Sequence, residues 1–527
     1  MFFRRRVPLN AFGQKPDVEY YHGDMAYIRS RYDAWEKANP GAPSIDDVTW
    51  NDLDMDRVFR RINRGVSVSG EQLLYHMLRT PALDEKTWTE RRRLVALMED
   101  ETARAGASGI LARLGCVRRA GPCVPLGPQN GGTARLLLCA ALALLLPASV
   151  LLASFLGETA VLAILGVVIV NSMTHEFLKR RLAGELDAVN YMVSLARATR
   201  RFQKLRDARL DACLAPAYEA LGRMGAVLRI GMAAPAEIDG NLPDLLLTVT
   251  LLDLIAFERL KRIFLTRHED VLILHDALGS LDAAVSIASW RRTVPEWTEP
   301  VLDFDPDAPR AVRAEAAVHP LLDHPVPNDL CIARPQLITG SNASGKSTYL
   351  RTAALCVLLA QSVCTCPARS YRAPVFRLFT SMTLSDDLLA GESYYVAEMH
   401  ALKRILDALN DGAPVLCAVD EVLRGTNTVE RIAASSQILD ALDRAGALCL
   451  AATHDIELCD LLGERYENMH FEERIEEGRM LFDYRIRPGK ATTRNAINLL
   501  ELIGLDGRLI RDAHARAERY LETGLWT

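Results

Sequence analysis

Eleven cysteines are scattered through 527 residues, and no two of them form a C-x-x-C pair. That absence argues against a zinc ribbon or a disulfide framework and for reduced thiols in a cytosolic compartment. Excess positive charge is missing as well. The formal net charge is −5, so any nucleic-acid contact has to be local rather than a property of the whole surface. No internal repeat or low-complexity tract stands out, which excludes solenoid architectures. The basic start, Met1 to Arg6, runs into Val7-Pro8-Leu9-Asn10 rather than an apolar stretch, so no secretory signal is expected.

Long apolar runs, by contrast, are present. Leu136 to Gly157 is apolar almost throughout, with Pro147 inside it, and Ala160 to Val170 resumes after Glu158-Thr159. The first run, about 22 residues, is long enough to cross about 30 Å of hydrocarbon, and the second is marginal alone. Arg113, Arg118, Arg119 and Arg135 precede the pair, and Lys179, Arg180 and Arg181 follow it. Both flanks are then cytoplasmic, with the turn at Gly157-Glu158 outside. The alternative is a buried hairpin in a soluble core. The span is preferred because a soluble hairpin rarely lacks a polar face over this length.

Around these runs the chain reads as helical. Asp17 to Ala38 predicts a polar helix, Ser44 to Asp56 an acidic link, and Leu53 to Leu78 apolar residues at helical spacing. Arg91, Arg92 and Arg93 read as a solvated helix face, with phosphate contact as the alternative. Ala183 to Phe202 is amphipathic, Leu242 to Phe257 reads as a core helix, and Glu258 to Trp290 as long helices. Val294 to Pro309 is a linker rich in proline and aspartate. Cys364 and Cys366 are expected in the core.

The stretch that organises the rest is Leu337 to Arg351. An apolar strand pattern breaks at Gly340 and passes through Ser341, Asn342, Ala343, Ser344 and Gly345 into Lys346-Ser347-Thr348 and a helix. Gly340 to Ser347 fits G-x-x-x-x-G-K-S, the phosphate-binding loop of ATP- and GTP-binding proteins. Its backbone N–H groups cradle phosphates, Lys346 reaches the β- and γ-phosphates, and the Ser347 hydroxyl ligates Mg²⁺. Downstream, Pro414 to Glu421 is a buried strand ending in two carboxylates. Strand alternation points adjacent acids in different directions, so Asp420 can serve Mg²⁺ while Glu421 acts as general base.

Four segments in fixed order, TGSNASGKSTYLRTAALCVLLAQ, SDDLLAGESYYVAEM, AVDEVLRGTNT and LAATHDIEL, resemble the ATPase domain of the MutS family of DNA mismatch-repair proteins, itself within the ABC-type ATPases. The resemblance covers Ala317 to Thr523, and a weaker one covers SVSGEQLLYHMLRTPALDEKTWTERRRLVALM. It implies an α/β P-loop (ABC-type) ATPase domain joined to a mostly α-helical core and lever domain, here with a transmembrane helical hairpin. The divisions read as 1–134 for an N-terminal helical region, 135–178 for the hairpin, 179–293 for core and lever, and 294–527 for the ATPase.

The resemblance further implies that His454 senses the γ-phosphate and the attacking water. Ser393 would contact nucleotide held by the other subunit of a homodimer, the alternative being an ordinary N-cap. Arg424 to Asn427 would cross the dimer interface, and the segments holding His319 and Asn328 would shape the adenine pocket. Arg494-Asn495-Ala496 departs from the family's Ser-Tyr-Gly-like run. No Phe-x-Glu is found in a strand-rich opening segment, the family's mismatch reader, the clamp interval from Asp207 to Asn241 is short, and no nuclease domain is expected after Thr527. Two functions therefore compete. One is an ATP-dependent DNA-binding protein, with mismatched or branched DNA as ligand, in mismatch repair, recombination control or damage sensing. The other is a membrane-tethered ATP switch acting on a protein partner. Both place the ATPase in the cytoplasm, anchored in the cytoplasmic membrane through 136–170.

Overall fold

The computed structural model describes residues 12–14, 24–115, 132–156, 159–231, 241–341, 344–382, 394–423, 426–476, 479–491 and 506–523. Helices α1 (Asp24–Ala38), α2 (Asp47–Asp52), α3 (Met55–Ile62), α4 (Val68–Arg79), α5 (Glu85–Glu99) and α6 (Glu101–Leu111) come first. The apolar α7 (Gly132–Leu156) and α8 (Thr159–Arg181) follow, then α9 (Ala183–Leu205), α10 (Ala208–Arg223) and α11 (Gly225–Gly231). Helices α12 (Asn241–Thr250), α13 (Leu252–Thr266) and α14 (His268–Arg291) precede the strands β1 (Val301–Asp303), β2 (Val312–Ala317), β3 (Asn328–Ile332) and β4 (Gln336–Thr339). Helix α15 (Lys346–Val363) leads to β5 (Ser370–Pro374), β6 (Arg377–Ser381), α16 (Tyr394–Ala408) and β7 (Val415–Asp420). The remainder is α17 (Thr428–Arg444), β8 (Leu448–Ala452), α18 (Glu457–Leu461), β9 (Glu467–Glu476), β10 (Arg479–Pro488) and α19 (Gly507–Thr523).

The chain divides into two compact units. One comprises Met1–Ala42, Ile62–His76 and Arg92–Thr293, and the other Pro43–Arg61, Met77–Arg91 and Val294–Thr527. In the first, α14 is the buried axis. A Cβ on Gly279 would come within 2.6 Å of the Ser69 carbonyl, and one on Gly70 would overlap the Asp282 carboxylate. Glycine at both positions is what lets α4 and α14 approach so closely. Asp282, fully buried, accepts from the backbone N–H groups of Val66 (3.2 Å) and Ser67 (2.8 Å) and from the Ser67 hydroxyl. Those bonds serve the N–H groups just ahead of α4 from a neighbouring helix.

Three helices are long and apolar enough to cross a membrane, judged by length and composition. Only 6% of the window in α7 and 17% of that in α8 is buried, against 72% in α14. The apolar side chains of α7 and α8 face outward, among them Leu144, Leu151, Leu162, Met173 and Phe177. Three polar ones face inward. Asn171 donates to the carbonyls of Leu142 (3.2 Å) and Val249 (2.7 Å), His175 meets Asp253 at 2.8 Å, and Arg135 meets Glu258 at 2.8 Å.

Several expectations need correction. Leu242 to Phe257 is not one core helix: the chain breaks at Leu251, whose φ is 56°. Helix α12 packs on α7 and α8 with Leu245 and Leu246 exposed. The long helices expected over 258–290 are α13 and α14, parted at Arg267. The acidic link over 44–56 contains α2, capped by Asp46, which accepts from Thr49 N–H at 2.8 Å. The proline-rich linker contributes β1, paired with β5. Cys364 and Cys366 are buried as expected.

In the second unit, a six-stranded sheet runs β10-β9-β4-β8-β7-β6, parallel except for β10. A four-stranded sheet runs β1-β5-β2-β3. Helix α15 is buried nearly throughout, so the carbonyls that its last turn leaves unpaired need protein donors. The N-terminal segments supply them. Ala82 N–H donates to the Gln361 carbonyl (3.0 Å), the Trp88 indole to Ala360 (3.1 Å), and the Arg91 guanidinium to Ser362 (3.2 Å). Arg91 also donates to Thr80 (2.9 Å) and Met77 (3.4 Å). Burial lowers its pKa to about 10, which leaves it charged at cellular pH. The solvated face therefore holds for Arg92 and Arg93, which are exposed, but not for Arg91.

Replacing Arg91 by alanine removes charged donors from several enclosed carbonyls, a loss of about 2 kcal/mol in stability. Arg92→Ala and Arg93→Ala should stay within about 0.5 kcal/mol of wild type. Thermal unfolding of the three variants followed by tryptophan fluorescence separates the cases, and equal midpoints for all three would refute the cap.

Candidate nucleotide-binding site

Strand β4 is buried at every residue and lies between β8 and β9 in the sheet. At its end the chain turns through Gly340 (φ 144°), and α15 starts directly after Gly345 (φ 110°). Both angles belong to the region where a side chain is strained. A Cβ on Gly340 would meet Ser344 Oγ at 2.9 Å, and one on Gly345 would meet the Tyr484 ring at 3.3 Å. At both positions, then, only glycine fits without strain. Ser344 closes the loop by donating its hydroxyl to the Ser341 carbonyl (2.8 Å). Lys346, buried, donates to the carbonyls of Gly340 (2.7 Å) and Ser341 (2.9 Å). Ser347 and Thr348 lie in the first turn of α15. Asn342 and Ala343 fall outside the described residues.

Strand register brings the other groups to the same end of the sheet. Ile338 pairs with Ala452, and Ala452 with Asp420, so β4, β8 and β7 end level with one another. Just beyond, Thr453 N–H donates to Ile338 (3.0 Å) and Glu421 N–H to Ala452 (2.9 Å). Glu421 Oε1 lies 3.0 Å from His454 Nε2. Strand alternation does not carry past Asp420. Strand β7 stops at Asp420, and Glu421 adopts φ 59°, a left-handed conformation that is costly for a side-chain-bearing residue and tends to cluster at working sites.

Two residues that sequence reasoning missed hold this corner. Arg431 on α17 grips Asp455 with two bonds, of 2.6 and 2.8 Å, fixing the turn that carries His454. The charge pattern gave no signal for the pair, because the partners are far apart in sequence and belong to different elements. Ser393, Arg424 and Gly425, as well as Arg494 to Ala496, lie outside the described residues.

Beside the loop a cavity of about 160 Å³ is lined by His319, Asn328, Gly345, Thr348, Phe471 and Tyr484, among others. Asn328 lines it but uses its amide on the fold. Its Nδ2 donates to the Tyr484 carbonyl (2.9 Å), and its Oδ1 accepts from Ile486 N–H (2.9 Å). It thereby holds the irregular stretch of β10 between Phe482 and Ile486 that presents Tyr484. His319 accepts at Nδ1 from Leu321 N–H (3.3 Å). Burial first, and then the nearby Arg351 and Arg57 charges, push its pKa down to about 4. The imidazole facing the cavity is therefore neutral at cellular pH. Arg57 comes from the N-terminal part of this unit, a contribution to the pocket that no local motif announces.

The residues fit a nucleoside triphosphate with Mg²⁺. The glycine cradle has no room for a side chain, the cavity with its aromatic walls adjoins it, and Ser341 Oγ is buried with no partner among the described residues.

Residues 336–521 match the family model for MutS domain V. Over 209 residues the chain is 35% identical to the DNA mismatch repair protein MutS of Thermus thermophilus, covering 39% of this chain and 26% of that protein. It is 36% identical over 206 residues to MutS of Lactobacillus gasseri, covering 38% and 24%. With the DNA mismatch repair protein MutS 2 of Haloarcula marismortui it shares 32% over 283 residues, covering 47% and 29%. The chain thus spans about a quarter of the length of the curated relatives it matches.

The His319 environment is open to direct measurement. Its ring protons should titrate by NMR with a midpoint near pH 4, some two units below an exposed histidine. A midpoint near 6.5 would mean that the imidazole is solvated and does not wall the cavity.

Proposed function

We propose that this chain, whose residues 336–521 belong to the MutS family, hydrolyses ATP and couples the reaction to binding of irregular DNA. The observation that carries the catalytic reading is the Glu421–His454 contact of 3.0 Å, beside the loop that holds Lys346. A carboxylate held by a histidine at a strand end is positioned to take a proton from water. Lys346, with the loop N–H groups, would bind the β- and γ-phosphates, and His454 would orient Glu421 and the water. Ser347 and Asp420 would hold Mg²⁺, which supplies neutralisation of developing phosphate charge. Ser393 would reach the nucleotide of a second copy, making each site composite and the working protein a dimer.

The DNA reading rests on the relatives, which are named as DNA mismatch repair proteins. The alternative, a switch on a protein partner, draws on the short interval between Asp207 and Asn241 where the family's clamp would be inserted. Stimulation of the ATPase by duplex, mismatched or branched DNA distinguishes the two. No response to any of them favours the protein partner.

Membrane anchoring is the second part of the proposal. Helices α7 and α8 have apolar exteriors and polar interiors, the reverse of what water selects and what a hydrocarbon phase requires. Cytoplasmic placement of the ATPase follows from the basic flanks at Arg135 and at Lys179 to Arg181.

Glu421→Gln should keep ATP affinity and lower turnover by about two orders of magnitude or more. Lys346→Ala should instead weaken nucleotide binding itself. Unchanged hydrolysis by Glu421→Gln, measured by phosphate release, would remove the general base. For the anchor, wild-type protein should stay in the membrane pellet after carbonate washing, and deletion of 136–178 should release a soluble ATPase. A monodisperse wild type without detergent would contradict the span.

A further inference from the structure

Helix α9 carries a concentration of basic side chains that the ATPase reading does not use. From Ala188 to Arg206 there is no acidic residue, while Arg197, Arg200, Arg201, Lys204 and Arg206 are basic, in a chain of net charge −5. Arg197, Arg200, Arg201 and Lys204 follow i, i+3, i+4, i+7 spacing, which puts them on one face of a helix in a row about 10 Å long. The opposite face, with Val193, Ala196, Phe202 and neighbours, is buried. Arg200, Arg201 and Lys204 are exposed, and so is Arg113 beyond the end of α6.

Arg113 lies close enough to matter. Partial burial and the like charges of Arg113 and Arg197 hold Arg201 below its ordinary pKa. Among the described residues, none of these five side chains pairs with a carboxylate. Arg197 donates to the Gly231 carbonyl, and Arg200 to the Gln203 amide. Asp207 and Asp100 pair instead with Arg209. Repulsion among unpaired like charges on one helix face costs stability, and an anionic ligand would relieve it.

We propose that the face formed by Arg113, Arg197, Arg200, Arg201 and Lys204 is a docking surface for a nucleic-acid phosphate backbone. Arginine dominates the row, and its planar fork grips phosphate oxygens bidentately. Lipid headgroups fit less well. Helical hydrogen bonds run on from α8 into α9 across Leu182, at 2.9 and 2.8 Å. At about 1.5 Å per residue the row is then about 24–35 Å along the helix from Arg181. That path is several Debye lengths beyond the basic end of α8. The inference rests on the DNA reading and specifies where this chain makes the contact.

The test uses the full chain in neutral-lipid nanodiscs and a labelled duplex of about 30 base pairs, titrated from about 50 to about 200 mM KCl. Variant one is Arg200→Gln/Arg201→Gln/Lys204→Gln, which keeps helix propensity. Variant two removes equal charge elsewhere, through Arg508→Gln/Arg511→Gln/Arg516→Gln on α19. Variant one should bind more weakly, with a log K against log salt slope shallower by about 2 to 3. Its ATPase without DNA should equal wild type, which reports an intact fold. Variant two should retain the wild-type slope. Wild-type binding that variant one leaves unchanged, or that both variants weaken alike, overturns this surface but not the DNA reading. Absence of wild-type binding to this duplex overturns the surface, and absence of binding to mismatched and branched DNA as well overturns the DNA reading. Flotation of wild type, but not variant one, with phosphatidylserine vesicles would assign the face to lipid and overturn the proposal.

Discussion

The second unit depends on satisfying the two ends of a helix that water cannot reach. Helix α15 is buried almost from Lys346 to Val363, and a buried helix must find partners for its terminal N–H and C=O groups within the protein. At the amino end the buried Lys346 turns back to donate to the Gly340 and Ser341 carbonyls. At the carboxyl end Ala82, Trp88 and Arg91 take up the carbonyls. The same helix that opens at the candidate site therefore requires residues from far upstream, which is why segments 77–91 belong to this unit. Helix α2 makes a parallel contribution at the sheet. Buried Asp52 accepts from the Thr380 hydroxyl (2.7 Å) and from Met382 N–H (3.0 Å), holding the end of β6.

The site itself is assembled by strand register. Parallel pairing of β4, β8 and β7 brings three strand ends level, and whatever follows each strand is gathered in one place. Glycine follows β4, histidine follows β8 after Thr453, and glutamate follows β7. The Arg431–Asp455 pair and the left-handed turn at Glu421 then set the side chains against one another. Energy is spent on this local geometry, in one strained backbone and several enclosed charges, and the hydrophobic sheet around it holds the arrangement.

The first unit solves a different problem. In α7 and α8 the apolar surface faces out, so the interior must be the polar side. Asn171, His175 and Arg135 find partners on α12, α13 and α7. Farther along, α9 turns its apolar face to its neighbours and leaves a row of arginines outside. One nearly continuous helical path thus passes from a hydrocarbon-compatible surface to an anion-compatible one.

Much of this was legible in the residues alone. The glycine spacing at Gly340 and Gly345, the apolar runs over 136–170 and the buried strands ending at Thr339, Asp420 and Ala452 are local patterns, dictated by neighbours a few positions away. What was not legible depended on partners distant in sequence. Three consecutive arginines look alike until one of them finds the carbonyls of Ser362, Thr80 and Met77. The residues of α2 read as a link because their stabilising partners, Thr380 and Met382, lie more than 300 positions on. Periodicity also carried Leu242 to Phe257 through as one helix, since apolar spacing contains no mark for the left-handed turn at Leu251. The resemblance sets the Asn328 segment beside an expected adenine pocket, but only the fold directs its amide to the backbone of β10. The sequence by itself determined which chemical groups are present and which stretches must avoid water. Tertiary structure decided which of them meet, because a hydrogen bond or a strand register is a property of two segments and is written in neither one.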